Sequence, residues 1–341
     1  MSNPLVPLRS PDWQANLGDA VAEVSWSADG STVVAGGVDG RVALFPAAGG
    51  PLRQGFNAHA HGLFRCRCSP TEPLLATAGQ DGLAKLWDPQ SGAPIKELAG
   101  GSAWVEQLSW APRGKWLAFS AGKKFRLWNP TTGVVHESAD HRSTVGALAF
   151  LADGSRLASA CYGGVELWDV EGGRHLEHLP WKTSLVSLSW SPDGRWVVAG
   201  TQELAVQIWE LPFRPGEELA MSGYPAKVRE LAWHYSSRYL ATGGGPEIMV
   251  WDCNGKGPAG STPRILQGHG GKVTALSYQS AGHLLASGGA DACVFLWNAG
   301  KSSSPLRQFK LPAAITSVAW SPDGSRLVVG CRDGTVAAGS A

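Results

Sequence analysis

The 341-residue chain carries 29 basic and 28 acidic side chains, and its net charge of +1 argues against a nucleic-acid-binding surface. Charged residues are only 17% of the total, whereas glycine numbers 44 and tryptophan 16, a balance suited to many short strands joined by tight turns. No apolar run reaches the roughly 18 residues of a membrane-spanning helix, no basic-then-apolar leader opens the chain, and the six cysteines form no CxxC pair. A reduced, cytoplasmic protein that engages neither membrane nor nucleic acid is expected.

Read in chain order, eight strands end in an aromatic residue or its stand-in: Trp26, Cys68, Trp110, Phe150, Trp190, Trp233, Tyr278 and Trp320. Their spacings of 42, 42, 40, 40, 43, 45 and 42 define the repeat. A second aromatic follows 18 or 19 residues later, at Phe45, Trp87, Trp128, Trp168, Trp209, Trp251 and Trp297. A unit this short cannot cover its own apolar faces and must stack on copies of itself. The fifth copy shows the construction. Residues 184–190 (SLVSLSW) alternate apolar and small side chains, the period of a strand. Ser191-Pro192-Asp193-Gly194 reads as a turn, because proline presets the backbone angle and glycine accepts positive φ. Residues 196–200 form a buried second strand and residues 204–209 a third. A weaker fourth strand precedes the next copy, as in residues 94–98. Helix is expected to be nearly absent, since no segment holds a 3.6-residue apolar period for long.

These units resemble the WD-repeat β-propeller family along essentially the whole chain. The Trp-Asp ending occurs at Trp87-Asp88, Trp168-Asp169 and Trp251-Asp252, Trp-Asn at Trp128-Asn129 and Trp297-Asn298, and the opening Gly-His element at Gly268-His269. The resemblance implies an all-β, eight-bladed β-propeller of four-stranded antiparallel blades, seven being the commoner number in the family. One domain over 1–341 is expected, with repeats near 18–57, 58–99, 100–139, 140–180, 181–222, 223–267, 268–311 and 312–341. The last repeat stops before a fourth strand. Residues 3–10, similar to the fourth-strand segments 51–54 and 305–308, are expected to close the ring from an edge position that tolerates proline.

Members of that family often hold a buried His, Ser/Thr, Asp and Trp chain of hydrogen bonds within one blade. Here His59, Thr77, Asp81 and Trp87 match fully, as do His269, Ser287, Asp291 and Trp297. His141, Ser159 and Trp168 keep three of the four, with Gly163 in place of the acid. The set has the composition of a catalytic triad, yet its hydroxyl belongs inside a packed blade. The expected role is structural, each buried polar group finding a partner.

By the same resemblance, the face carrying the connections ahead of each first strand commonly binds partners. Its loops hold Trp104, Trp181, Tyr162 and Tyr224, with Phe64 just inside a strand, and Trp, Tyr and Arg are the residue types of interface hot spots. Trp181 and Tyr224 stand where the complete blades have His, and either fill its space or bind. Near the channel lie Glu23, Arg65, Arg67, Glu106, Arg229 and Glu230; the arginines could clasp a carboxylate or phosphate, or be neutralised by the glutamates. The run HAHGLFRCRC packs two His and two Cys, zinc-type ligands, into residues 59–68. Register argues against a metal there, because His59 belongs to the network and Cys66 and Cys68 to core positions. No nucleophile elbow, phosphate loop or HExxH occurs. The expected function is a non-catalytic scaffold or adaptor without cofactor, monomeric itself or within a complex. It would dock a protein or peptide partner through Trp104, Trp181, Tyr162, Tyr224, Arg65, Arg67 and Arg229. The alternative is a metal-binding or hydrolytic, lactonase-like propeller using the channel-mouth acids. The long connections 211–218 and 253–263 offer a second docking element on the opposite face.

Overall fold

The computed structural model describes residues 10–258 and 260–341, and every regular element among them is a β-strand. The fifth repeat shows why. Its second strand, Trp196–Thr201, is buried along its whole length and pairs antiparallel on both sides, Leu188 with Ala199 and Ala199 with Gln207. The turn that feeds it is knitted by side chains. The Ser191 hydroxyl donates to Asp193 at 2.6 Å and accepts from the Trp196 amide at 2.9 Å, while Gly194 adopts a φ of 75°. Ser27 with Asp29 and Ser321 with Asp323 repeat the device at 2.5 Å. These exposed turns thus fix hairpin register immediately after each anchor.

The first anchors are tryptophans for a reason beyond bulk. Four of the five indole N–H groups reach the neighbouring repeat and donate to the carbonyl just before that repeat's own anchor, whereas Trp233 Nε1 finds no partner. Trp110 reaches Arg67 at 2.9 Å, Trp190 reaches Ala149 at 3.0 Å and Trp320 reaches Ser277 at 2.9 Å. Trp26, in the first repeat, reaches Ala319 in the last at 3.0 Å. Apolar cores fill the same seams: Val21, Trp26 and Val33 share one with Val328, Val336 and Ala338. The chain is thus an all-β propeller of antiparallel, mostly four-stranded units, each covered by its neighbours.

The strands form seven hydrogen-bonded sheets, six of four strands and one of six. Eight separate sheets were expected from the sequence, so this is a correction with a local cause. The strand Arg174–Trp190 runs without a break from the outer edge of the fourth repeat to the inner edge of the fifth, leaving no loop between them. Its partner Arg156–Asp169 folds back at Gly163 and Gly164, whose φ values are 101° and 137°, and Val170 N–H then donates to Ser155 O at 3.0 Å.

A second correction concerns the chain ends. The segment 3–10 expected to complete the last sheet lies, except for residue 10, outside the described residues. The strand in that place is Trp13–Asn16, which pairs antiparallel with Thr335–Ser340, Trp13 opposite Ala338 and Asn16 opposite Thr335. Asp12 and Leu17 extend the ladder at either end, their amides 2.8 Å from the carbonyls of Ala338 and Gly334. The Trp13 ring packs on Phe45 of the first repeat at 5.6 Å. This stretch donates its amides to the Thr335–Ser340 side and buries a large ring on Phe45.

Candidate docking face and central channel

Within single blades the polar side chains join as the repeat positions require. In the second repeat Trp87 Nε1 donates to Thr77 Oγ1 at 2.9 Å, His59 Nε2 lies 2.8 Å from the same hydroxyl, and His59 Nδ1 lies 2.8 Å from Asp81. In the seventh, Trp297 to Ser287 and Ser287 to His269 are both 2.8 Å, and His269 Nδ1 meets Asp291 at 3.1 Å. In the fourth, Trp168, Ser159 and His141 connect at 2.9 and 2.8 Å, and the Lys123 carbonyl takes the place of the missing acid at 3.0 Å. Burial holds His59, His141 and His269 below the usual imidazole range, so all three are neutral and each hydroxyl relays a single proton. Thr77, Ser159 and Ser287 are fully buried, with no room for a substrate.

The sixth repeat holds a fourth version, which decides between the two roles that the sequence leaves open for Tyr224. Tyr224 is 3% exposed, and its hydroxyl meets Thr242 Oγ1 at 2.9 Å and accepts from Trp251 Nε1 at 3.1 Å. Tyr224 therefore serves as the His substitute and leaves the set of docking residues. The signal was present: Thr242 and Trp251 occupy the relay and anchor positions of this repeat. The fifth repeat lacks the relay, having Ala199 there. Its fully buried Trp209 Nε1, the Trp181 Nε1 and the Gln207 amide all find no partner. Ala199→Ser is therefore expected to stabilise the protein by about 1 kcal/mol, by giving Trp209 an acceptor. A thermal melt checks it, and a lowered midpoint would mean that Trp181 already fills the space.

The inner strands surround a cavity of about 460 Å³, lined by Glu23, Arg65, Arg67, Gln107, Arg229 and Glu230 together with uncharged, mostly apolar residues such as Leu108, Leu188 and Leu276. Glu23 is fully engaged: one oxygen receives Arg67 Nε at 2.8 Å and the other the Cys66 amide at 2.9 Å. Arg67 also donates to the Leu108 carbonyl at 3.1 Å. Arg65 donates to the neutral amide of Gln107 at 3.1 Å. Burial lowers the Arg65 pKa; Glu23 works against that shift, while Arg67 and Arg229 add to it. Burial likewise raises the Glu230 carboxyl. Glu106 is not among the lining residues. A second cavity, also about 460 Å³, lies at the rim beside Asn16, Arg41, Phe45 and Leu52. Its one charged group, Arg41, is already paired with Asp39, so the channel is the better-furnished space.

The remaining predicted residues divide, and of them only Arg229 lines the channel. Trp104 is 53% exposed and packs on Phe64, ring centroids 5.7 Å apart; Phe64 directly precedes Arg65. Tyr162 is 51% exposed, and Arg229 is exposed beside the channel. Trp181 is half-buried, its ring 5.9 Å from the Lys182 ammonium. In the HAHGLFRCRC run, Cys66 is buried and burial raises its thiol, Cys68 is raised to about 12 by burial, and His59 is committed to Thr77 and Asp81. Among the described residues no group of three or more His, Cys, Asp or Glu side chains gathers as a metal site.

Stacked antiparallel sheets around a central channel define the chain as a propeller, and a solved structure agrees: the computationally designed Ika8 protein superposes with a TM-score of 0.81 at 20% identity, covering 96% of this chain and 98% of that one. The model of the WD40 family (WD domain, G-beta repeat) matches residues 12–45, 50–88, 92–129, 133–169, 174–210, 217–252, 260–298 and 303–337, so the chain belongs to that family. Among curated relatives, "Cell division cycle 20.1, cofactor of APC complex" from Arabidopsis thaliana is 30% identical over half of this chain and 39% of its own length. "Telomerase protein component 1" from Rattus norvegicus is 28% identical over 77% of this chain and 11% of its own length. "Pre-mRNA-processing factor 19" from Oryza sativa subsp. japonica is 23% identical over 80% of this chain and 54% of its own. The chain thus spans about half or less of the length of these relatives. No helix of the described residues is long and apolar enough to cross a membrane.

Proposed function

We propose that the chain is a single domain in the form of a closed ring of eight blades. On this reading it acts as a rigid, non-catalytic platform on which a protein partner docks at the channel mouth. Eight family matches support the count, as does a channel whose lining draws on all eight repeats, from Glu23 in the first to Val318 in the last. The six-stranded sheet is then two blades joined by one strand. The bond from Trp26 to Ala319 and the pairing of Trp13–Asn16 with Thr335–Ser340 support closure.

The observation that carries the docking reading is the exposed Trp104 ring held on Phe64 beside the Arg65 side of the channel. A large aromatic kept in solvent by a second aromatic is an anchor already in position, so little ordering cost attends binding. Trp104, Tyr162, Trp181, Arg65, Arg67 and Arg229 form the proposed face. The hydrolytic alternative gains little, because Glu23 is consumed by Arg67 and the Cys66 amide. The printed names of two relatives, a cofactor of a complex and a telomerase component, fit a chain that works by assembly.

The test is affinity capture from a cytoplasmic extract with wild type and with Trp104→Ala plus Tyr162→Ala. Proteins lost from the variant are then purified and their affinity measured by calorimetry. A weakening of at least about tenfold in the variant is expected. Equal affinities would move the docking face elsewhere, to the connections 211–218 and 253–263.

A further inference from the structure

The charges of the channel do not balance within the chain. Glu23 and Arg67 satisfy each other, and the Leu108 carbonyl takes a further Arg67 donor. That leaves Arg65 and Arg229 on the same cavity. Arg65 has only the uncharged Gln107 as a side-chain partner, and Arg229 has no carboxylate within salt-bridge distance among the described residues. Glu230 does not compensate: its oxygen faces the Arg229 backbone amide, and burial favours its protonated form. Two guanidiniums on a cavity of about 460 Å³ hold most of their N–H donors unused, Arg65 spending one on Gln107, and such donors suit a planar oxyanion. The walls contributed by the fourth, fifth, seventh and eighth repeats, among them Leu148, Ser187, Thr274, Leu276 and Ser317, carry no charge, so nothing there competes with the two arginines for an anion.

We propose that the channel mouth receives a carboxylate of an acidic partner segment between Arg65 and Arg229, while an apolar neighbour in that segment packs on Trp104 and Phe64. This rests on the docking reading above and adds the chemistry of the partner. A carboxylate fits better than a partner cation, because every acidic group lining the cavity is already engaged or buried. An entering anion also offers Arg65 a charged partner in a setting where burial, above all, and the like charges of Arg67 and Arg229 work against its charge, opposed by Glu23 and Glu106.

The probe is a phage-displayed library of random peptides selected on purified full-length protein, with bound sequences resynthesised and measured by fluorescence anisotropy. Selected peptides are expected to be enriched in Asp and Glu beside an apolar residue. Replacing the acid by its amide should weaken binding about tenfold, and raised salt should weaken the acidic peptide alone. Arg65→Gln and Arg229→Gln should each cost about five- to tenfold for the acidic peptide and leave its amide form unchanged. Arg229 is exposed, so that variant remains informative should Arg65→Gln fail to fold. Peptides without acid enrichment, an absence of binders, or an Arg229→Gln protein that binds as wild type would each overturn the proposal. Loss of captured partners in the Trp104→Ala plus Tyr162→Ala protein without acid selectivity would sink this inference alone. Unchanged capture would sink the docking reading with it.

Discussion

Replacing His269 by alanine is expected to lower the unfolding free energy by about 1–3 kcal/mol, the cost of leaving buried partners unsatisfied. Two groups lose by it. Ser287 Oγ, fully buried, keeps the Trp297 N–H but loses its own acceptor, and the Asp291 carboxylate loses the imidazole N–H. Asp291→Ala should cost a comparable amount, because that carboxylate also receives the amides of Gly270 at 2.7 Å and Cys293 at 3.1 Å. Denaturant titration of the two variants and the double variant checks both the size and the coupling, the double expected to cost less than the sum. A pH series adds a signature that simple packing would not give. Burial holds the folded His269 below its ordinary value of 6.5, so below about that pH the unfolded chain binds a proton that the native state refuses. The stabilisation is complete above pH 6.5 and is lost as pH falls through it. His59 and His141 act in the same direction. The melting midpoint of wild type should therefore drop between about pH 7.5 and 5.5, and His269→Gln should show a shallower drop.

Removing every residue before Gly18 is expected to destabilise the last sheet strongly. It deletes the strand Trp13–Asn16, strips the ladder from Thr335–Ser340 and uncovers Phe45, on which Trp13 packs. Loss of the half-buried Trp13 contact alone should cost about 2 kcal/mol, somewhat under the range for a fully buried aromatic. The exposed strand would then offer unpaired amides and carbonyls, a template for another chain. A lower midpoint together with concentration-dependent association in sedimentation is the expected pair of results. A truncated protein that melts like wild type and stays monomeric would show that the last sheet stands without its outer strand.

How much of this was legible beforehand follows from what each position must do. The anchor spacing gave the repeat because every unit needs the same large ring at the same depth, and burial against two neighbours tolerates little drift. His59, His141 and His269 were legible for a similar reason, since an indole N–H, a hydroxyl and an imidazole must fall at fixed offsets to meet. Tyr224 stays open between packing and binding in the sequence because a phenol and an imidazole solve one hydrogen-bonding problem with different atoms; composition at a single site says nothing about reach. The outer strand was placed several residues early, because sequence likeness to other fourth strands ignores which segment can both donate amides and bury a ring. The sharing of one strand by the fourth and fifth repeats was not legible at all, since Trp181, Lys182 and Thr183 carry no residue type that forces or forbids extended backbone. Arg65, Arg67 and Arg229 were singled out by charge, but which of them remained unengaged depended on Glu23 and Gln107 projecting from different repeats.

That shared strand also bears on how the molecule can be taken apart. Across most seams a nick in the connection would sever only a loop, leaving the ladders on either side intact. Between residues 174 and 190 there is no such hinge: the backbone is one continuous ribbon carrying hydrogen bonds into both halves. New termini, a split reporter or an inserted tag placed there would cut through the hydrogen-bonded weave, whereas the connection at 211–218, which carries no strand, is a natural place for one.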